Sequence, residues 1–333
     1  MSAMLLSQYR TAGGRLQVVA REGTEAYDVK TDDSLYDLAM RAAERGTPLR
    51  ELILSLGLNG AVDLERQAAE GRMAPPLMHP DPAHLFLTGT GLTHLGSAST
   101  RAAMHAKTPE QETDSMKMFR LGVEGGKPAN GHAGVQPEWF YKGNGAALVA
   151  PGEALPSPAF ALDGGEEPEI AGLYVIGPDG TPFRVGFALA NEFSDHVTER
   201  QNYLYLAHSK LRPCAIGPEL LVGDLPDSIE GTSRIRRGTE VIFEKPFLSG
   251  EANMSHTIRN LEHHHFKYDL FRQPGDVHVH MFGTATLSFA DGVTAQDGDV
   301  FEIEAAPFGM ALRNPLSHRP LGGAEALTEI RTL

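Results

Sequence analysis

Cysteine, tryptophan and positive charge are all scarce in this chain of 333 residues. The one cysteine, Cys214, excludes an intramolecular disulfide, so we expect a reducing, cytoplasmic compartment and a buried structural thiol. The chain has 29 Lys and Arg against 43 Asp and Glu, which gives a formal net charge of -14. This negative charge argues against nucleic acid and against an anionic membrane surface as partners, but not against a small anionic substrate held by a buried metal.

Long apolar runs are missing as well. No segment reaches the ~20 apolar residues of a membrane span, and the N-terminus lacks the pattern of a secretory signal, so we expect a soluble protein. Hydrophobic residues still make up 41% of the chain, which is enough for an extended core. The length predicts one large domain, or one with a smaller companion.

Several common catalytic motifs are absent. The glycines between residues 122 and 134 form neither a phosphate-binding loop nor a dinucleotide-binding fingerprint, and no G-x-S-x-G elbow is present. The consecutive histidines at 263–265 would point about 100° apart on a helix and cannot share one ion. His278 and His280 face the same side of a strand but have no evident third ligand, so we expect structural or surface roles for these histidines.

The first part of the chain has the pattern of a small α+β unit. Two predicted strands, Leu5 to Tyr9 and Leu16 to Arg21, flank a Gly-Gly hairpin signal. A helix capped by Asp33 or Ser34 should end at Gly46, and a second helix, opened by Thr47-Pro48, should end at Gly57. Prolines between 75 and 82 mark a linker, so we divide the chain into an N-terminal domain of residues 1–78 and a catalytic domain of residues 79–333.

The second part reads as mainly β. Residues 105–135 are polar and Gly-rich with few apolar anchors, which predicts a disordered segment or a mobile lid. Beyond Gly145 short predicted strands alternate with turns, among them a strand that ends at residue 176 and a hairpin around Gly238. One helix, which carries Ile258 and Leu261, should be capped by Ser255.

The most informative segment is Glu166-Glu167-Pro168-Glu169-Ile170, directly before an apolar strand. On an extended chain Glu167 and Glu169 lie on the same face, where they repel and desolvate each other. A divalent cation relieves both costs, and oxygen-only ligands favour Mg²⁺ over Zn²⁺. On this segment alone, a solvated acidic turn is the alternative interpretation.

Four further segments carry candidate site residues. They are Ala190–Ser194 with Glu192, Tyr203–Lys210 with Ser209 and Lys210, Gln136–Lys142 with Glu138 and Lys142, and Phe282–Thr286 with Gly283 and Thr284. Together with the acidic segment they resemble the fumarylacetoacetate hydrolase family, over about residues 89 to 314. The E-P-E sequence, the P-E-x-F-x-K run and the L-Y-L-x-x-S-K run resemble its 2-keto-3-deoxyarabinonate dehydratase branch.

The resemblance assigns roles to these residues. It implies metal ligands at Glu167, Glu169 and Glu192, where Glu192 stands in place of the family's usual aspartate. We expect Lys210 and Glu138 to be the acid–base pair, with either of them as the base, and a lowered pKa for a desolvated Lys210. The implied substrate-binding residues are Lys142, Ser209, Gly283 and Thr284. Arg101 is a further candidate, either for a substrate carboxylate or as a plain surface arginine.

The implied fold is α+β and mainly β, a mixed β-roll with the small N-terminal α+β domain packed outside it. The implied cofactor is Mg²⁺, with Mn²⁺ or Ca²⁺ as substitutes, and the implied assembly is a homodimer. We expect a dehydratase that converts a 2-keto-3-deoxy pentonate to 2,5-dioxopentanoate in non-phosphorylative pentose degradation. The alternatives are a C–C hydrolase of a 2,4-diketo acid, of the acylpyruvate type, and a metal-dependent binding protein. The hydrolase's His-Glu dyad would fall on Ser97 and Thr100, which favours elimination.

Overall fold

The computed structural model describes residues 3–96, 113–129, 131–318 and 327–333. Its strands are β1 Met4–Arg10, β2 Leu16–Glu22, β3 Glu25–Val29, β4 Leu58–Ala61, β5 Met73–Ala74, β6 Leu85–Gly89, β7 Phe140–Asn144, β8 Leu148–Val149, β9 Leu155–Ser157, β10 Pro168–Ile176, β11 Pro182–Asn191, β12 Cys214–Val222, β13 Ile229–Arg237, β14 Glu240–Ser249, β15 Val277–Met281, β16 Val300–Ala305 and β17 Leu312–His318. Its α-helices are α1 Leu35–Arg45, α2 Leu49–Leu56, α3 Leu64–Ala69, α4 Asp114–Gly125, α5 His196–Gln201, α6 Leu206–Lys210 and α7 Ile258–Phe266.

Two mixed sheets dominate the fold. The larger sheet has the order β4-β3-β2-β1-β12-β11-β10-β15-β6-β7, with β5 beside β1 and β8 beside β12. The smaller sheet has the order β14-β13-β16-β17-β9. Aromatic side chains such as Phe187 and Phe301 lie in the apolar core that contains residues from both sheets. The predicted mainly β architecture is therefore confirmed.

The N-terminal strands continue the large sheet. Strand β1 pairs with β12, so that Leu6 lies opposite Leu220. Leu38 of α1 and Ile53 of α2 belong to the same apolar core as residues of β10 and β15. The predicted boundary after residue 78 thus does not coincide with a break in the sheet, because the edge of the β-roll is completed by the N-terminal hairpin.

Local sequence signals place several helix ends correctly. Ser34 caps α1 in a capping box with Asp37, and Gly46 ends it in the left-handed conformation at φ 59. The predicted cap of α7 is wrong by two residues. Thr257 accepts from the Asn260 backbone N–H, whereas the Ser255 hydroxyl donates to the Thr93 carbonyl at 3.0 Å and is not available for capping.

The predicted lid of residues 105–135 lies partly outside the described residues. Within the described part, Thr113 caps α4, and Phe119 of this helix is buried. The segment therefore has an anchor of its own, whereas its mobility stays a prediction. Arg101, Ser97 and Thr100 lie outside the described residues. Across the described ranges, no helix is long and apolar enough to cross a membrane.

Cys214 lies in the core of the large sheet with none of its surface exposed. Burial raises the pKa of its thiol to about 12, so the thiolate is not formed at neutral pH. Its predicted structural role is confirmed.

Candidate metal centre and acid–base site

The three predicted acidic ligands meet where β10 begins and β11 ends. These strands are antiparallel neighbours, with Pro168 opposite Asn191, so the start of one adjoins the end of the other. The Glu192 backbone N–H also donates to the Glu167 carbonyl at 3.0 Å. One carboxylate oxygen each from Glu167, Glu169 and Glu192 lies within 4.8 Å of the other two. Strand pairing therefore brings residues 25 positions apart into one acidic cluster.

The acidic cluster is electrostatically costly as it stands. Burial and the charges of Glu192 and Glu167 raise the pKa of Glu169 well above its usual value. Burial and Glu167 likewise raise the pKa of Glu192, against the opposing effect of the two nearby lysines. A divalent cation would relieve this cost, and a donor set of carboxylate oxygens suits a hard ion. The residues present therefore fit a divalent metal.

Lys210 is bonded directly to the acidic cluster. Its Nζ lies 2.6 Å from Glu167 Oε1 and 2.7 Å from Glu192 Oε2. Burial alone would lower the pKa of Lys210, but the charges of Glu167 and Glu192 raise it well above its usual value. The predicted lowered pKa is therefore wrong for this arrangement, because the sequence shows the desolvation of the lysine but not its two carboxylate partners. A protonated lysine is suited to be an acid.

Glu138 lies in close contact with a glycine turn and a tyrosine. The Tyr203 hydroxyl donates to Glu138 Oε2 at 3.0 Å. A Cβ at Gly91 would lie 1.8 Å from Glu138 Oε1, so only glycine allows this approach. Burial raises the pKa of Glu138 to about 7, although Tyr203 and Lys210 lower it. This carboxyl can therefore gain or lose a proton near neutral pH.

Glu138 also lines a cavity of about 470 Å³. The other lining residues are mostly apolar or aromatic, and they include Met118, Trp139, Leu206, Tyr268, Leu270 and Phe271. The cavity gives the Glu138 side of the site room for a ligand larger than the ion itself.

Two predicted substrate-binding residues have other surroundings than expected. The Lys142 side chain is 0% exposed, and its ammonium lies 2.7 Å from Glu192 Oε1. Ser209 is likewise fully buried, and its hydroxyl donates to the Leu206 carbonyl at 2.8 Å. Lys142 thus bonds to a carboxylate of the acidic cluster, and Ser209 bonds within its own helix. A substrate contact by either residue stays a prediction.

Gly283 contacts the acidic cluster through its backbone. Its N–H donates to Glu169 Oε2 at 2.7 Å. Its backbone has a φ of 90°, and the Cβ of any other residue at this position would lie only 2.4 Å from Thr93 Oγ1. Both features require glycine. Thr284 follows as a half-buried residue whose Oγ1 accepts from the Thr286 N–H at 3.2 Å. A substrate contact by Gly283 or Thr284 stays a prediction.

His196 is a site residue that the sequence analysis missed. Its Nε2 lies 3.1 Å from Glu167 Oε1, and its Nδ1 lies 3.2 Å from Asp163 Oδ2. Burial would lower the pKa of His196, but the hydrogen bonds to Asp163 and Glu167 raise it to about 10, so both ring nitrogens donate. The sequence signal that could have identified it is its position four residues after Glu192, the third predicted ligand.

Three other histidines, His265, His278 and His280, form a separate buried cluster, here called the histidine cluster. His265 Nε2 lies 3.0 Å from His278 Nδ1, and the Trp139 indole N–H donates to His265 Nδ1 at 3.2 Å. Burial lowers the pKa of His278 and of His280 to about 3. Among the described residues, the group with metal-ligating geometry is the acidic cluster and not these rings.

No protein-family model and no curated protein matches this sequence. Solved structures do match its fold. The apo form of 2-keto-3-deoxy-D-arabinonate dehydratase superposes with a TM-score of 0.70 at 20% identity, over 96% of this chain and 100% of that one. The chain shares its fold with that enzyme. At this identity the match shows the fold and not the reaction.

Two further structures extend the comparison. The same dehydratase complexed with magnesium and 2,5-dioxopentanoate matches at TM-score 0.68 and 21% identity, over 96% of this chain and 100% of that one. A fumarylacetoacetate hydrolase from the psychrophilic Exiguobacterium antarcticum matches at TM-score 0.59 and 16% identity, over 95% and 100%. The resemblance to this family seen in the sequence motifs is thus confirmed at the level of the fold.

Proposed function

We propose that this chain is a magnesium-dependent enzyme of the fumarylacetoacetate hydrolase family that dehydrates a 2-keto-3-deoxy pentonate to 2,5-dioxopentanoate. The observation that carries the proposal is the arrangement of the acidic cluster with a protonated Lys210 and a Glu138 of near-neutral pKa. The shared fold with a dehydratase whose solved complex contains magnesium and 2,5-dioxopentanoate supports it.

Glu167, Glu169 and Glu192 would hold the cation. Bound there, Mg²⁺, or Mn²⁺ or Ca²⁺ in its place, would polarise the 2-keto group and acidify the protons at C3. Lys210 bonds to two of these carboxylates, and its charge lowers the pKa of Glu138. The acid and the base of the proposed reaction are therefore neighbours beside the acidic cluster.

The two pKa shifts divide the acid–base work. Ionised Glu138 accepts a proton from C3, and protonated Lys210 gives a proton to the C4 hydroxyl, which leaves as water. A proton shift from C5 to C3 then gives the 5-enol, and movement of the enol hydroxyl proton to C4 gives the 5-aldehyde. One water is lost in total, so the product is 2,5-dioxopentanoate.

The test is turnover of a panel of 2-keto-3-deoxy acids with added Mg²⁺, with products identified by mass. A product that has lost one water and carries an aldehyde supports the proposal. Pyruvate together with a second acid from a 2,4-diketo acid would instead identify a C–C hydrolase. If the cation-bound protein turns over neither 2-keto-3-deoxy acids nor 2,4-diketo acids, both the dehydratase and the hydrolase are excluded.

The cavity beside Glu138 favours the hydrolase as a second candidate. Its volume of about 470 Å³ and its lining of Trp139, Leu206 and Phe271 suit a substrate with an apolar group beyond the reacting carbons. A 2-keto-3-deoxy pentonate ends in a hydroxymethyl group and leaves that lining without an apolar partner. Comparison of rates for short and long 2,4-diketo acids would decide between the two.

We also propose the homodimer that the family resemblance implies. Light scattering of the purified chain would give a mass near twice 36.0 kDa, and a monomer mass would contradict it.

A further inference from the structure

Lys142 holds one oxygen of the third acidic ligand. Its ammonium has three donors, and they are directed to Glu192 Oε1 at 2.7 Å, to the Phe193 carbonyl at 2.5 Å and to the Lys210 carbonyl at 3.2 Å. The side chains of Lys142 and Glu192 are both 0% exposed, so water does not compete for these bonds. Oε1 of Glu192 is therefore occupied by the ammonium group of Lys142.

The other two carboxylates of the acidic cluster also have one oxygen that accepts hydrogen bonds from the protein. Glu167 Oε1 lies 3.1 Å from His196 Nε2 and 2.6 Å from Lys210 Nζ. Glu169 Oε2 accepts the Gly283 N–H at 2.7 Å. Glu167 and Glu169 thus each have one oxygen bonded to a protein donor. In Glu192, Oε1 is bonded to Lys142 and Oε2 is shared with Lys210 Nζ at 2.7 Å, so at most one oxygen of each carboxylate is left for a cation.

These hydrogen bonds limit the number of carboxylate oxygens that the protein can offer to a metal ion. Three carboxylates that give one oxygen each supply three ligands. Mg²⁺ and Mn²⁺ complete six with oxygens of substrate and water, whereas Ca²⁺ takes six to eight and often uses carboxylates in the bidentate mode. A site that withholds the second oxygen of each carboxylate disfavours the larger ion.

We infer that Lys142 is a positioning residue that makes the site select Mg²⁺ or Mn²⁺ over Ca²⁺, because it keeps Glu192 from offering both of its oxygens. The inference rests on the proposed function, since it requires that the acidic cluster binds a cation. Removal of Lys142 takes away the nearest donor to Glu192 Oε1, at 2.7 Å against 3.2 Å for the Ser194 hydroxyl, without changing a backbone N–H or a group that also contacts Asp163, as His196 does.

The test compares Lys142→Met with the wild type as full-length protein, without substrate. Mn²⁺ binding is measured by electron paramagnetic resonance, and Ca²⁺ binding by its competition with Mn²⁺. The wild type should bind Mn²⁺ at least about tenfold tighter than Ca²⁺, and Lys142→Met should reduce this ratio by about tenfold or more, the size that groups supporting a metal ligand usually have.

The matched control is Lys245→Met, the same change at a half-exposed lysine that pairs with Asp291. It should leave the ratio at the wild-type value. A folded Lys142→Met protein with an unchanged ratio would overturn the inference, as would an equal loss of affinity for both ions, which indicates a merely structural role. Should Lys142→Met fail to fold, the wild-type ratio decides, and equal affinity for Mn²⁺ and Ca²⁺ would overturn the inference.

These outcomes are separate from the test of the proposed function. Lack of turnover with normal Mn²⁺ binding would count against the proposed substrate only. An unchanged ratio in an enzyme that turns over its substrate would count against the role of Lys142 only.

Discussion

The acidic cluster and the histidine cluster lie on neighbouring strands of one sheet but differ in how they are neutralised. Glu169 is on β10, which pairs with β15, the strand of His278 and His280. The carboxylates are matched by Lys142, Lys210 and His196, whereas the imidazoles are surrounded by aromatic rings and by one another. Charged partners therefore favour ionised Glu167, Lys210 and His196 in the acidic cluster, whereas burial without such partners keeps the histidine cluster neutral.

This difference decides which cluster can do chemistry. Opposite charges at hydrogen-bond distance offset the cost of desolvation, so ionised groups persist in the acidic cluster and can bind a cation or move a proton. The histidine cluster has no such partner charge among its described contacts, and its rings stay neutral. Buried titratable groups are thus not evidence of a site until their partners are known.

The largest expected effect comes from neutralising a carboxylate of the acidic cluster. Glu169→Gln keeps the shape but removes a ligand charge, so Mn²⁺ affinity should fall by more than about 100-fold, beyond the usual loss for groups that only support a ligand. Glu169→Gln should also lose turnover. EDTA treatment of the wild type should abolish turnover as well, and added Mg²⁺ or Mn²⁺ should restore it.

Glu166→Gln is the matched control in the same segment. Glu166 is buried but bonds to the Ser288 N–H and hydroxyl, away from the acidic cluster. It should keep Mn²⁺ affinity near that of the wild type. Full activity after exhaustive removal of metal would remove the cation from the proposed reaction.

The next effect separates proton transfer from cation binding. Lys210→Met and Glu138→Gln should lower turnover by a factor of about 10² to 10⁴, the usual size of general acid–base contributions. Neither should weaken Mn²⁺ binding, because neither is a ligand and the first removes a competing positive charge. If Mn²⁺ affinity and turnover fall together in Glu138→Gln, Glu138 belongs with the ligands.

The sequence was sufficient to predict which three carboxylates lie together, but not which residues surround them. The side-chain period of a strand is a local rule and predicts that Glu167 and Glu169 lie on one face, whereas Glu192 was expected beside them only from the family resemblance. Lys142 was expected to contact substrate, and its bond to Glu192 was not foreseen, because a sequence shows a charge without showing what lies around it. His196 and the Trp139–His265 bond, which joins residues 126 positions apart, depend on how distant elements pack. The continuation of the large sheet into β1 was missed for the same reason.

A smaller effect should appear in the pH profile. With the pKa of Glu138 near 7, this base becomes protonated as pH falls, so kcat/KM should decline below about pH 7. The Tyr203 hydroxyl lowers that pKa by donating to the carboxylate, so Tyr203→Phe should move the acidic limb to higher pH. A limb that stays in place in Tyr203→Phe would show that another group controls it.

The smallest effect on function is expected in the histidine cluster. His265→Phe keeps a ring of similar shape but leaves the Trp139 N–H and His278 Nδ1 without their partner. Unpaired buried groups cost about 1–3 kcal/mol of unfolding free energy, measured by urea denaturation at pH 7. Mn²⁺ affinity and turnover should stay within about twofold of the wild type, and a loss like that of Glu169→Gln would erase the distinction between the clusters.

The pH dependence of that stability difference tests why the cluster is neutral. Burial and the neighbouring histidines lower the pKa of His265 well below its unfolded value of 6.5. The unfolded chain therefore binds a proton at this residue below about pH 6.5 while the folded chain does not, which costs the wild type stability as pH falls. Phenylalanine has no such loss, so the gap in unfolding free energy between wild type and His265→Phe should narrow from pH 7 to pH 5. A gap that widens would mean that His265 is charged in the folded protein, and that the two clusters are less different than their surroundings indicate.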